Sequence, residues 1–258
     1  MKNKIIIANW KMKLTLEESI ALAKKFKEKF KNFIQGEVVV CPCFLVLDEI
    51  SKLFKKTNLK FGAQNVFWEE SGAYTGEISP NMLKTEGCSF VIVGHSERRK
   101  YLLENYEMIH QKVKAVLNMG GMTPIVCIGE DAKDRKTDRR DFVLVDQLQQ
   151  ALGGIDILSN QQIIIAYEPI WAIGSGVAIE PAEAEYAHKI IKLALNDLFE
   201  MKVVNENIRI IYGGSISSQN VKGFVGLENL DGLLVGGASL DINEFYKIAK
   251  VILGKKIA

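Results

Sequence analysis

Short apolar runs recur along the whole chain and are separated by longer amphipathic segments. Most of the runs are continuous rather than alternating, which is typical of parallel strands that are covered on both faces. The pattern predicts eight strands, at residues 5–8, 38–41, 59–64, 90–93, 123–128, 163–167, 208–212 and 232–235.

The segments between these runs have helical spacing. The first carries apolar residues three or four positions apart, behind a predicted capping box of Thr15 and Glu18. Pro181 suits the first turn of a helix that continues over 183–198, and a last helix is predicted near 241–252. Strands that alternate with helices predict βαβ units and a parallel sheet.

Eight such units in 258 residues match the size of a closed (β/α)₈ barrel, so we predict one domain over 1–258. An open, doubly wound sheet is the structural alternative, but it would usually have fewer strands or a second domain at this length. No linker rich in Pro or Ser and no shift of composition divides the chain. The single closed barrel is therefore the favoured interpretation.

Composition narrows the classes of function. The chain is 48% hydrophobic and 25% charged, which is typical of a globular protein and excludes a disordered or collagenous one. A net charge of +2 gives no electrostatic reason to expect nucleic acid or an acidic membrane as a partner. The apolar run at the start is too short for a secretory signal, so we expect a cytoplasmic protein.

No metal or cofactor motif is evident. The sequence has no GxGxxG or GxxxxGK[ST] segment, and its cysteines and histidines lack the paired spacing of a zinc site. These residues are Cys41, Cys43, Cys88, Cys127, His95, His110 and His188. We therefore expect chemistry that needs neither a cofactor nor a metal, and thiols that stay reduced.

Polar residues follow several predicted strands. In a (β/α)₈ barrel the carboxyl ends of the strands meet at one rim, where catalytic residues lie. A lysine, a histidine and a carboxylate on different strands together indicate proton transfer beside a polarised oxygen. The residues in these positions are Asn9, Lys11, Gln64, Asn65, His95, Glu97, Cys127, Glu130 and Glu168.

Glycine pairs follow the last two strands. Gly213 and Gly214 precede Ser215, and Gly236 precedes Gly237. Backbone N–H groups at glycines can approach a ligand closely, and barrels commonly bind phosphate after strands seven and eight. These segments therefore predict a phosphate site, although tight turns alone would also use Gly-Gly.

The segment 169–178 after Glu168 combines apolar residues with two glycines and a flanking proline. An ordinary exposed loop would not carry Ile170, Trp171 and Ile173. We predict a lid with hinges that closes over a bound substrate.

Taken together, the motifs resemble those of the triosephosphate isomerase family. They occur in the family's order from the first strand to the last helix, and the ordered set is far more specific than any single tetrapeptide. The matching segments are Asn9-Trp-Lys-Met12, Ala63-Gln-Asn65, Gly76-Glu77, Gly94-His-Ser-Glu-Arg-Arg99, Cys127-Ile-Gly-Glu130, Tyr167-Glu-Pro-Ile-Trp-Ala-Ile-Gly174, Tyr212-Gly-Gly-Ser215 and Val235-Gly-Gly-Ala-Ser-Leu240.

The resemblance implies the interconversion of dihydroxyacetone phosphate and glyceraldehyde 3-phosphate through an enediolate. It implies that Glu168 is the base, that His95 is a neutral electrophile, and that Lys11 stabilises the negative charge. Ser96 is expected to cap a helix whose positive end disfavours protonation of His95. The other implied roles are Asn9 beside Lys11, Glu97 and Cys127 in support, and phosphate binding at Gly174, Ser215, Gly236 and Gly237.

The resemblance also implies a homodimer in which loop 65–79 enters the partner's site, with Thr75 bracing the partner near Lys11 and His95. Some positions depart from the family pattern. Lys13 replaces the usual Asn, and Leu103 stands where Gly is common.

Two alternative functions remain open at the level of the sequence. The first is a related barrel enzyme that acts on another sugar phosphate, which the lid and the Lys, His and Glu set disfavour. The second is a barrel retained only for binding or adhesion, which would predict a lesion among those residues.

Overall fold

The computed structural model describes residues 3–173 and 179–254. Eight parallel strands close into a barrel in sequence order, with the last strand paired to the first. The strands are β1 Ile5–Asn9, β2 Glu37–Cys41, β3 Leu59–Ala63, β4 Phe90–Val93, β5 Thr123–Ile128, β6 Ile163–Tyr167, β7 Ile208–Tyr212 and β8 Gly232–Val235. The predicted (β/α)₈ barrel is confirmed, and its strand bounds agree with the apolar runs to within one residue.

Helices surround the barrel. They are α1 Leu16–Lys29, α2 Leu47–Phe54, α3 Pro80–Thr85, α4 Ser96–Tyr101, α5 Tyr106–Met119, α6 Ala132–Lys136, α7 Arg140–Leu152, α8 Pro181–Leu198, α9 Met201–Asn207 and α10 Ile242–Leu253. After β7 the chain forms a 3₁₀ helix, Val221–Phe224, where the regular pattern would place an α-helix. Of the described helices, none is both long and apolar enough to cross a lipid bilayer.

The helix ends follow from local sequence. Both hydrogen bonds of the capping box between Thr15 and Glu18 are present at the start of α1. Pro181 occupies the first turn of α8, where the missing N–H group costs no helical hydrogen bond. Asp241 caps α10 by accepting hydrogen bonds from two N–H groups of the first turn.

Alternate strand residues divide the core into two layers. One layer fills the barrel interior with Ile, Val, Leu, Phe, Ala and two cysteines, while the other packs the outer faces of the strands against the helices. Interior residues occlude the barrel, so ligands can bind only at its ends. A functional site is therefore expected at the carboxyl ends of the strands.

Candidate active site

A cavity of about 370 Å³ opens at the carboxyl ends of the strands. It brings together residues that are far apart in sequence because every parallel strand ends at this rim. Of the residues that the sequence predicted, those lining the cavity are Asn9, Lys11, His95, Glu168, Gly213, Gly214, Ser215, Gly236 and Gly237. Ile173, at the start of the predicted lid, lines the same cavity.

Glu168 and His95 form a close, buried pair. The Nε2 atom of His95 lies 3.1 Å from Oε1 of Glu168, and the side chain of Glu168 is only 2% exposed. The backbone N–H of Ser96 donates to the other carboxylate oxygen over 3.2 Å. Both oxygens of the carboxylate thus have a hydrogen-bond partner, and the pair faces the cavity.

The hydrogen bonding of His95 defines its tautomer. Its Nδ1 atom accepts a hydrogen bond from the backbone N–H of Glu97 over 3.2 Å, so Nδ1 carries no proton. The proton of the neutral ring is then on Nε2, which points to Glu168. This geometry suits a ring that donates a hydrogen bond from Nε2 without being positively charged.

The predicted capping role of Ser96 is wrong. His95 itself is the N-cap of α4, and Ser96 is the first helical residue. His95 has a non-helical backbone, with φ −50° and ψ 139°, and its ring nitrogen replaces the oxygen that normally accepts a hydrogen bond from the first turn. The N–H group of Glu97 at the helix start directs the positive end of its dipole at Nδ1.

Two opposing effects act on the Glu168 carboxyl. Burial alone would raise its pKa, but the interaction with His95 and the hydrogen bond from Ser96 outweigh that effect and hold the pKa below its ordinary value. The group is therefore a carboxylate at neutral pH, as a base must be.

Lys11 is held in an unusual backbone conformation. Its φ angle is +54°, in the left-handed region that costs free energy for a residue with a side chain. The Oδ1 atom of Asn9 accepts from the N–H of Lys11, and Nε2 of Gln64 donates to its carbonyl. The Nζ atom lies 2.7 Å from Oε1 of Glu97, so the ammonium group is anchored beside the cavity.

Glycines after β7 and β8 line the cavity together with Lys11 and His95. A Cβ atom at Gly213 would come within 3.1 Å of Cγ of Glu168, and one at Gly214 within 2.0 Å of the Tyr212 hydroxyl. Side chains there would therefore displace Glu168 or the core residue Tyr212. Together with Gly236 and Gly237, these positions expose backbone to the cavity, which suits an anionic group that binds N–H donors.

Cys127 lies beneath the site rather than in the cavity wall. Its side chain is fully buried among the interior residues of the barrel. Burial and the nearby negative charge of Glu168 raise the pKa of its thiol well above the ordinary value. A thiol with these properties is unreactive and packs below Glu168.

The first part of the predicted lid rests on the barrel rim. The indole N–H of Trp171 donates to Glu130 over 2.9 Å, and the guanidinium of Arg135 stacks on the indole at 4.0 Å. The hydroxyl of Ser215 donates to the carbonyl of Ala172. Gly174 and the rest of the predicted lid up to residue 178 lie outside the described residues.

None of the described residues of loop 65–79 lines the cavity of its own chain. The ring of Phe67 stacks on Trp68 and makes a tilted contact with Tyr74, and the N–H of Phe67 donates to the carbonyl of Ile78 across the base of the loop. Thr75 is exposed at the tip and is not among the described residues that line the cavity.

The two departures from the family pattern are both exposed. Lys13 points into solvent, and Leu103 is 80% exposed with a φ angle of +55°. The positive φ explains why glycine suits this position, since a glycine adopts that conformation without steric cost.

A buried ionic network supports the strand that carries His95, and sequence reasoning did not single it out. Glu104 accepts from the N–H of Gly94 and from the side chains of Arg98 and Lys112. Lys112 also donates to Asn65, at the start of loop 65–79. Gly94, Arg98 and Asn65 lie in motifs of the sequence, but no pattern along the chain connects them to Glu104 and Lys112, so only the packing reveals the network.

The described residues contain no group of three or more His, Cys, Asp or Glu side chains placed to hold a metal ion.

Comparisons with known proteins show which family the chain belongs to. The sequence profile of the family described as triosephosphate isomerase matches residues 4–252. Proteins named triosephosphate isomerase from Dictyoglomus thermophilum and Dictyoglomus turgidum are 44% and 43% identical, over 97% of this chain and 100% of their own length. The protein of that name from Syntrophotalea carbinolica is 41% identical, over 97% of this chain and 98% of its own.

Proposed function

The chain belongs to the triosephosphate isomerase family, and from this premise we propose that Glu168, His95 and Lys11 perform its reaction. The enzyme interconverts dihydroxyacetone phosphate and glyceraldehyde 3-phosphate. The observation that carries the assignment of roles is the close pair of Glu168 and His95 in one cavity with Lys11 and the glycines after β7 and β8.

In our proposal, His95 moves a proton between the two substrate oxygens, and Glu168 removes a proton from the carbon next to the substrate carbonyl and later returns one to the former carbonyl carbon. Its carboxylate first leaves Ser96 and His95, because both of its oxygens are occupied in the free site. Its short side chain can then reach the substrate across the space that Gly213 leaves open. General-base catalysis of this kind contributes roughly 10²–10⁴-fold to a rate.

His95 then donates a hydrogen bond from Nε2 to the substrate oxygen. A neutral imidazole matches the acidity of an enediol better than an imidazolium does, and the N–H of Glu97 at Nδ1 supports the neutral tautomer. This division of roles between a carboxylate base and a neutral ring is the one already established for the triosephosphate isomerase family.

Lys11 supplies a fixed positive charge for the enediolate oxygen, and Asn9 orients the Lys11 backbone. The phosphate binds the backbone N–H groups at Ser215, Gly236 and Gly237, with Gly174 of the lid as a further donor. Glu97 and Cys127 support the site from outside the cavity, through the contact of Glu97 with Lys11 and the packing of Cys127 below Glu168.

A coupled assay tests the activity directly. Purified protein should convert glyceraldehyde 3-phosphate to dihydroxyacetone phosphate, which an NADH-dependent glycerol phosphate dehydrogenase then consumes. The loss of NADH absorbance reports the rate. A well-folded preparation without turnover would contradict the assignment.

We also propose that the enzyme is a homodimer through loop 65–79. Thr75 sits at an exposed tip, and the apolar side chains of Leu45, Met82 and Leu102 are exposed at 85%, 54% and 61%. Leu45 and Met82 line one groove with Ile78 of the loop, which suits contact with another protein surface. The tip of the loop would then brace the partner near Lys11 and His95.

Replacing Thr75 with Arg should produce a monomer with a greatly reduced kcat. A long, charged side chain at the tip would lose its hydration on entering the partner. Sedimentation velocity and activity, both measured from nanomolar to micromolar concentration, should show dissociation and loss of turnover together.

Met201→Arg is the matched control, because Met201 is 67% exposed on α9, at the amino end of the barrel. This variant should remain a fully active dimer. A wild-type protein that is monomeric and fully active at nanomolar concentration would refute the dimer proposal.

We propose a cytoplasmic location, because triose phosphates are charged glycolytic intermediates that do not cross a bilayer unaided.

A further inference from the structure

We propose that Gln147, on α7, is a positioning residue that fixes the place of Glu168 at the barrel rim by holding Gly129. The inference rests on the proposed role of Glu168 as the base. Gln147 itself is not among the described residues that line the cavity, so it acts only through the backbone it holds.

Gln147 binds both polar groups of one peptide segment. Its Oε1 atom accepts from the N–H of Gly129 over 2.7 Å, and its Nε2 atom donates to the carbonyl of Gly129 over 3.1 Å. Gln147 is 8% exposed, and both hydrogen bonds are buried. Gly129 follows the end of β5, so a side chain from a helix satisfies groups that no neighbouring strand pairs.

Gly129 in turn lies directly against Glu168. A Cβ atom at Gly129 would stand 1.7 Å from the carbonyl oxygen of Glu168, so only a glycine fits there. On either side of this contact, the N–H of Glu168 donates to Ile128 over 2.7 Å and that of Ile170 donates to Glu130 over 3.0 Å. Residues 128–130 and 168–170 therefore form one tightly packed double segment.

Because of this close packing, the position of Gly129 determines the position of Glu168. Without the carboxamide, two buried polar groups of Gly129 would lose their partners, which is costly enough to shift the segment toward water. A shift of Gly129 would move the Glu168 backbone with it, because close-packed contacts transmit displacement. A misplacement of about 1 Å at a reacting group can lower a rate by roughly 10²-fold.

Phosphate binding should not respond in the same way. The glycine segments that we assign to phosphate follow β7 and β8, whereas both hydrogen bonds of Gln147 go to Gly129 after β5. Loss of Gln147 should therefore lower kcat while leaving KM and phosphate affinity nearly unchanged.

The test compares Gln147→Met with Gln161→Met. Gln161 makes the same two kinds of bond, accepting from the N–H of Leu158 and donating to the carbonyl of Leu117, but it lies before the amino end of β6. We expect Gln147→Met to lower kcat by about tenfold with KM and the inhibition constant of inorganic phosphate within about twofold of wild type. Gln161→Met should lose stability but keep kcat.

Gln147→Glu provides a second measurement, the pH dependence of kcat. A purely structural role of Gln147 would leave that dependence unchanged. An ionised carboxylate can accept from the N–H of Gly129 but repels its carbonyl, whereas a protonated carboxyl restores both hydrogen bonds. The kcat of this variant relative to wild type should therefore rise as the pH falls. This arm also keeps the proposal testable if Gln147→Met does not fold.

Equal kcat values for Gln147→Met and wild type would overturn the inference, as would a matching loss in Gln161→Met. A ratio of kcat for Gln147→Glu to wild type that does not change with pH would also overturn it. A wrong assignment of Glu168 as the base would be detected by a different result. A Glu168 variant would then retain activity, independently of the outcome for the Gln147 variants.

Discussion

Replacing Glu168 with Gln should lower kcat by roughly 10²–10⁴-fold while phosphate still binds. The carboxamide has the same shape as the carboxylate but cannot accept a proton from carbon. The lowered pKa of Glu168 means that this carboxyl group is ionised throughout the neutral range, so its replacement should affect the whole of that range. The glycine segments that we assign to the phosphate keep their backbone unchanged in this variant.

Steady-state kinetics in both directions, with inorganic phosphate as a competitive inhibitor, would measure this effect. Glu168→Asp is the matched control, because it keeps a carboxylate and shortens the side chain by one methylene. It should retain more activity than Glu168→Gln, since a displaced base is still a base. If Glu168→Gln kept near-full activity, another group would have to be the base.

Replacing Glu104 with Gln should lower the free energy of unfolding by about 3–5 kcal/mol at neutral pH. The side chains of Glu104 and Lys112 are 2% and 4% exposed, and their charges are 2.7 Å apart. Removing one partner leaves a buried ammonium group without its counter-charge, which is the costly way to break such a pair. Urea unfolding of the two proteins would give the difference.

The pH dependence of this effect has a definite sign. Burial would raise the pKa of Glu104, but attraction and hydrogen bonds from Lys112 and Arg98 lower it below its ordinary value of 4.5. Its contribution to stability is therefore present above about pH 4.5 and is lost as the pH falls through the lower folded-state pKa. The difference in free energy of unfolding between wild type and Glu104→Gln should therefore become smaller as the pH falls over that range.

Glu49→Gln serves as the control for Glu104. Glu49 pairs with Lys52 on the surface of α2, where both side chains are largely exposed and water screens the charges. Its removal should change stability little at any pH. A Glu104→Gln variant as stable as wild type, or a gap that widens in acid, would contradict the network's role.

The strands and the rim residues were predictable because both depend on local pattern. Fully covered strands require continuous apolar runs, and the residue after each run must lie at the rim once the barrel closes. The sequence alone therefore identified the candidate residues Asn9, Lys11, His95 and Glu168. The triosephosphate isomerase motifs predicted a role for each of them. The capping box of α1 also follows from four consecutive residues.

Other features depend on contacts between distant segments. Gln147 lies on the apolar face of α7 with Leu144, Leu148 and Ala151. A polar residue on an apolar face was the only feature of the sequence that pointed to Gln147. Its partner Gly129 and the closeness of Gly129 to Glu168 arise only when β5, β6 and α7 pack together. The N-cap of α4 is His95 rather than the predicted Ser96. The tertiary fold sets the backbone conformation of His95, which lies between β4 and α4.

The sequence by itself determined the barrel and the set of groups at its rim, because burial periodicity and strand order are properties of the chain read locally. Only the tertiary structure decided the tautomer of His95, the left-handed backbone of Lys11 and the supports beneath Glu168 and Gly94. Each of these depends on a hydrogen bond of about 3 Å whose geometry the folded backbone sets, and no periodicity along the chain encodes such a distance.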